Sequence, residues 1–184
     1  MLQITISDGE RWDDFKQEFV YCRGTTIQLE HSLVSISKWE SKWHKPFLSN
    51  IEKTDEEMLD YIRCMTITQN VNPIVYNFLS NDNIKEINEY INDPMSAIPP
   101  GKFNKTNGGN RYGSEIITSE TIYWWITTLN IPLEAQKWHL NRLLSLVGFV
   151  NYKNEPPKKM GERERAETWS RINDERRKKL HTKG

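Results

Sequence analysis

A chain of 184 residues with 25 basic and 25 acidic side chains suits one domain with an appended segment, and its zero net charge gives no global pull toward nucleic acid or an acidic membrane. The hydrophobic fraction is only 36% and the mean hydropathy is -0.74, yet seven Trp, seven Tyr and six Phe supply enough large side chains for a core to exclude disorder of the whole chain. No stretch approaches the roughly 20 apolar residues needed to span a bilayer, and MLQITISDGERWDD lacks the basic start and apolar run of a signal peptide, so a cytoplasmic location is expected.

Charge is unevenly placed. From Glu155 onward ten Lys/Arg face six Asp/Glu, a net of +4, so a basic tail follows an acidic body of −4. Cys22 and Cys64 lie far apart and belong to no CxxC or Cys/His cluster, which leaves them as reduced thiols and offers no zinc site.

In chain order, Leu2 to Ile6 alternates as a short strand does, and Ser7-Asp8-Gly9 reads as a turn. Trp12, Phe15 and Phe19 follow at spacings a helix can use. Thr25 to Leu29, after Gly24, is a second strand, and the two strands can pair as a small β-hairpin element within residues 1–30. From Ser32 the period changes. Leu33, Ile36, Trp39 and Trp43 recur at three- and four-residue steps and predict an amphipathic helix that ends before Pro46. Thr54-Asp55-Glu56-Glu57 has the form of a capping box, with Met58, Leu59, Ile62 and Met65 as the expected buried face of the helix it opens. Asn72-Pro73 is a further helix start, followed by Ile74, Val75, Phe78 and Leu79, and Ile84, Ile87 and Ile91 predict another short helix. Between Pro94 and Gly113, prolines, glycines and asparagines replace the apolar pattern, as in an exposed loop.

The most apolar and periodic stretch is Ile116 to Val150. Ile122, Trp125, Ile126 and Leu129 fall on one helical face, which Tyr123 and Trp124 are expected to widen; Thr118 or Ser119 can cap it, and Glu120 suits its positive end. Pro132 breaks this helix and suits the first position of the next, so a second helix is expected at once after the hinge Asn130-Ile131-Pro132. There Leu133, Leu140, Leu143, Leu144, Val147 and Val150 make one stripe, while Trp138, Arg142, Ser145 and Phe149 run along another. After Pro156-Pro157 the tail is helix-permissive, but with Trp169, Ile172 and Leu180 as almost its only large apolar side chains it buries little by itself. The fold class is therefore mainly α: a multi-helix domain over residues 1–154, with a small N-terminal β element and a loop at 94–113, then a basic charged helical tail over 155–184.

Reactive machinery is absent from this pattern. Glu134 precedes His139 by five residues, whereas groups sharing a helix face need three or four. His44 has Glu40 at a usable spacing but no third polar partner or glycine-rich cradle. His31, His44 and His139 read as hydrogen-bonded structural histidines, and neither an enzyme nor a cofactor is expected. A nucleic-acid reading would use Gln136, Asn141 and Arg142 for base edges and the tail arginines, among them Arg163, Arg165, Arg171, Arg176 and Arg177, for phosphates. Against it, the second helix is too apolar to lie in a groove, and the tail alternates Glu with Arg as a salt-bridged solvated helix does. A helical domain with apolar side chains on several faces completes its burial by self-association or by holding a partner helix.

The segments LEHSLVSISKWESKWHKPFL, TDEEMLDYIRCMTIT, IKEINEYIND and ITSETIYWWITTLNIPLEAQKWHLNRLLSLV, with the PPKKM that follows, in this order, resemble the tail assembly chaperones of long-tailed bacteriophages, particularly those of actinobacterial phages. The resemblance runs from about Leu29 through the tail and says least about residues 1–28. It implies a protein of the host bacterial cytoplasm that binds the long, aggregation-prone tape measure protein and keeps it soluble while tail tube subunits polymerise, and that is missing from the mature virion. It also implies a longer frameshifted form as a companion; the tube protein and a second copy of the chain are further candidate partners, a membrane is not, and nucleic acid is not expected. Partner contacts are expected along Trp124, Trp138, Arg142 and Phe149, with Arg171, Arg176 and Arg177 adding salt-sensitive attraction. The competing classes are a structural tail or connector protein of the virion and a small helical DNA-binding protein.

Overall fold

Alternation in the first thirty residues builds a two-stranded antiparallel sheet from β1 (Leu2–Ile6) and β4 (Thr25–Leu29), in the register Leu2↔Leu29, Ile4↔Ile27 and Ile6↔Thr25. Directly opposed residues share a face, so Ile4, Ile6, Ile27 and Leu29 are all buried on one side. On the other, the Thr5 and Thr26 hydroxyls meet at 3.1 Å. Between them, where a helical spacing was expected, the chain forms an antiparallel ribbon of β2 (Gly9–Asp13) and β3 (Glu18–Cys22). The computed structural model describes residues 1–13, 17–97, 116–154 and 161–180, apart from the side chains of Asp13 and of residues 162–165. Phe15, most of the expected 94–113 loop, and residues 155–160 and 181–184 of the tail lie outside the described residues.

The first unit, Met1–Lys153, is mainly helical. α1 (Leu33–Trp43) starts where Ser32 accepts from the amide of Ser35 and ends where His44 takes a left-handed conformation with φ 51°. Leu33, Ile36 and Trp39 are fully buried. α2 (Asp55–Met65) opens on the expected capping box, Thr54 accepting from the amide of Glu57 while the Glu57 carboxylate accepts from that of Thr54. Its buried face differs from the apolar count: Glu57, Asp60, Tyr61, Ile62 and Met65 point inward, and Met58 and Leu59 are only half-buried. The two carboxylates are buried because α1 and the turn after it bring them cations, Lys45 to Glu57 and Lys42 to Asp60 at 2.6 Å, with the Trp43 indole also donating to Asp60 at 2.9 Å. Burial pushes the Asp60 carboxyl up, but these bonds outweigh it and hold it below its ordinary range.

Asn72 caps the next element as expected, accepting from the amide of Ile74, but Pro73–Phe78 winds as a 3-10 helix rather than an α-helix. α3 (Asn81–Asn92) buries Ile87 and Tyr90 and leaves Ile84 exposed. α4 (Ser119–Thr128) and α5 (Leu140–Asn154) follow, and α1 packs against both α2 and α4. Among the described residues no helix is long and apolar enough to cross a membrane.

Neither Thr118 nor Ser119 caps α4 with its side chain. The acceptor comes from α1: Glu40, buried, takes the amide of Ser119 on one oxygen and that of Phe47 on the other, both at 2.8 Å. One carboxylate thus ties three segments together and meets the positive end of α4. Glu40→Ala orphans two buried amides and is expected to cost about 2 kcal/mol or more in urea unfolding, while Glu40→Gln, which keeps one carbonyl acceptor, is expected to lose about half as much. Equal losses for the two variants would show that the carboxylate acts through bulk rather than as a bridge.

The second unit, Asn154–Gly184, contains α6 (Glu162–Leu180). Its described side chains are exposed except for the partly buried Thr168 and Ile172.

Candidate partner-binding surfaces

The connection between α4 and α5 is structured throughout. α4 turns its Ile122 and Ile126 inward, and Asn130, at φ 53°, lets the amide of buried Ile131 return to the carbonyl of Ile126 at 2.9 Å. After Pro132 the chain does not enter a second α-helix, as Pro132 alone had implied. It makes a 3-10 helix, Leu133–Lys137, and runs extended through Trp138, and α5 begins only at Leu140. The extended step exists because His139 forms a β-bridge with Ser32 and the amide of Leu140 donates to the carbonyl of His31 at 2.7 Å. Leu133 consequently leaves the expected stripe for solvent, while Leu140, Leu143 and Val147 keep it.

A polar cluster locks this junction. His31 and His139 are buried, ring against ring at 5.1 Å and 62°. His31 Nδ1 meets the Tyr61 hydroxyl at 2.5 Å. His139 Nδ1 accepts from the amide of Asn141 at 3.3 Å, so Nε2 carries the proton and donates to the carbonyl of Tyr90 at 3.0 Å. The Tyr90 hydroxyl donates to Glu30 at 2.6 Å. Burial, reinforced by the neighbouring His139, pulls the His31 pKa down to about 3, and burial likewise lowers that of His139. Both are the structural histidines that the spacing pointed to; His44 is exposed, and Glu40 turns from it to cap α4.

Around this locked base lie the aromatic residues expected to meet a partner. Trp124, two positions on from buried Ile122, points away from the core and is 58% exposed rather than widening the buried face. Trp138 is 38% exposed, with the guanidinium of Arg142 4.8 Å over its ring. Phe149, one heptad on from Arg142 and so on the same side of α5, is half-buried under the ammonium of Lys153 at 5.7 Å. The result is a stripe of alternating rings and cations along α5. Arg171, Arg176 and Arg177 are exposed on α6 in the other unit. Two of the residues a groove reader would need are occupied within the fold: the Asn141 amide group donates to the carbonyls of Ile91 and Asp93 at 2.9 and 2.7 Å, and Gln136 accepts from the Tyr123 hydroxyl at 3.0 Å.

No family model matches the chain, and neither a curated protein nor a solved structure matches it. Among the described residues no group of three His, Cys, Asp or Glu side chains is placed to hold a metal ion.

A second exposed surface lies on the β2–β3 ribbon. The β2–β3 ribbon pairs Glu10 with Tyr21 and Trp12 with Phe19, which puts these four side chains on one face. Trp12 and Phe19 meet edge to face at 5.0 Å, yet they are 44% and 55% exposed, and Tyr21 is 71% exposed. The opposite face anchors the ribbon. Cys22 is buried, Arg11 donates to the carbonyl of Asn77 at 3.1 Å, and Gly9 lies so near Phe78 that an added Cβ would come within 3.1 Å of its ring. The signal was two short runs on either side of a break, of which E-F-V-Y-C is rich in aromatic and β-branched side chains.

Proposed function

We propose that the chain is a tail assembly chaperone of a long-tailed bacteriophage, which binds helical stretches of the tape measure protein in the host cytoplasm and keeps them soluble until tube subunits enclose them. The observation that carries this reading is that Trp124 and Trp138 are left in solvent while their neighbours Ile122, Ile126, Leu140 and Leu143 are buried. Exposed Trp with an Arg stacked on it is the composition of a protein-binding hot spot. The cation-bearing α5 stripe suits amphipathic helices that carry acidic groups beside their apolar face. α6, which has few apolar side chains to bury, adds Arg171, Arg176 and Arg177 as a salt-sensitive attraction for acidic tape measure or tube segments.

Co-expression with the tape measure protein of the same phage should raise its soluble fraction, and the two should co-purify. Trp124→Ala/Trp138→Ala is expected to change folding stability by only about 0.5 kcal/mol per site while weakening capture of the tape measure protein about tenfold or more. Unchanged tape measure solubility with no co-purification would remove the reading's support.

A further inference from the structure

The ribbon face and the α5 stripe differ in sign. Glu10 brings a carboxylate to the face made by Trp12, Phe19 and Tyr21, and the one cation the ribbon shows among the described residues, Arg11, is on the opposite face, bonded to Asn77. The α5 stripe has the reverse make-up: rings that each carry a cation, Arg142 on Trp138 and Lys153 on Phe149. A guanidinium presents two flat faces, so an exposed Arg142 resting on Trp138 can take a second ring on its outer side. Each surface offers what the other lacks, an acid and bare rings against cations and half-covered rings.

From this complementarity we propose that the β2–β3 ribbon of one copy seats on the α5 stripe of a second copy, with Trp12 and Phe19 against Arg142 and Trp138 and with Glu10 beside the cations. The contact joins two different patches, so unless the two copies exchange ribbons about a two-fold axis it leaves one ribbon and one stripe unused in the dimer. Association then continues beyond the dimer unless the rotation closes a ring. It also covers Trp138 and Arg142, so self-association competes with capture of another protein at the same face. The proposal concerns the chain alone and stands whether or not the chaperone reading does.

Sedimentation velocity of the full chain from micromolar to millimolar concentration tests it. The expected result is a mass that rises with concentration to that of a dimer or beyond and falls with added salt. Glu10→Arg and Arg142→Glu should each remain monomeric at concentrations where the natural chain associates. A mixture of the two should associate again, because the exchanged charges then oppose each other with their signs reversed. Trp12→Ala/Phe19→Ala should stay monomeric with an unchanged circular dichroism spectrum, since both rings lie on the solvent side. A mass that stays monomeric throughout overturns the proposal. So does association that survives Trp12→Ala/Phe19→Ala, or single charge variants that lose association while their mixture fails to regain it.

Discussion

Acidification from pH 7 to pH 5 is expected to cost the fold about 2 kcal/mol through His31 alone, with His139 adding in the same direction. The cause is the buried pair at the base of α5. In the unfolded chain His31 titrates near its ordinary value of 6.5, whereas in the fold it stays neutral down to about 3. Above 6.5 neither state holds the proton and the contribution is complete. Below 6.5 the unfolded chain gains a proton that the fold refuses, so stability drains away as pH falls toward 3. Protonating His139 has a local consequence too, because a proton on Nδ1 would point at the amide of Asn141, which now donates to it. The first residues of α5 should therefore exchange their amide hydrogens faster at pH 5 than the buried strands β1 and β4. Urea unfolding of the natural chain and of His31→Gln over this range separates the effect from the carboxylates, since the ordinary values of Glu57 and Asp60, 4.5 and 3.8, lie lower and both are lowered further in the fold. The variant should lose about 1.4 kcal/mol per pH unit of the slope between 6.5 and 5. A natural chain equally stable at both pH values would mean that the pair is not held neutral.

What could be read from the sequence was local. Thr54 with Glu57, and Asn72 before Pro73, each cap a helix start using residues no more than three positions away, and both caps form. The hinge at Asn130 was legible for the same reason, and β1 and β4 were legible as strands from their own alternation, each five residues long. What failed was set by partners distant in sequence. Trp12 and Phe19 lie seven residues apart, a helical interval, but across a ribbon they face each other. The cap of α4 comes from Glu40, and the late start of α5 comes from the bridge between His139 and Ser32. Glu57 and Asp60 turn inward because Lys45 and Lys42 await them, which a count of apolar residues cannot register. Of the expected partner residues, Trp138, Arg142 and Phe149 share the α5 side, and Trp124 shows more of itself to solvent than its neighbours in an apolar run implied.

Trp39→Ala is expected to cost about 3–5 kcal/mol, the range for removing a large buried aromatic side chain. The indole is fully buried, stands edge-on to Phe47 at 5.1 Å, and donates from Nε1 to the carbonyl of Glu57 at 2.8 Å. It therefore joins α1, the turn that follows it and the first turn of α2, the same turn in which the Glu57 carboxylate closes the capping box. Trp39→Phe keeps most of the ring volume and loses the indole bond, so about 1–2 kcal/mol is expected for it. The gap between the two variants measures packing separately from the hydrogen bond. Glu40, the next residue, caps α4, the helix that carries Trp124. Emission from exposed Trp124 should consequently respond to Trp39→Ala before global unfolding and stay unchanged in Trp39→Phe. If Trp39→Ala unfolds at the same urea concentration as the natural chain, α1 is not the element that joins α2 to α4.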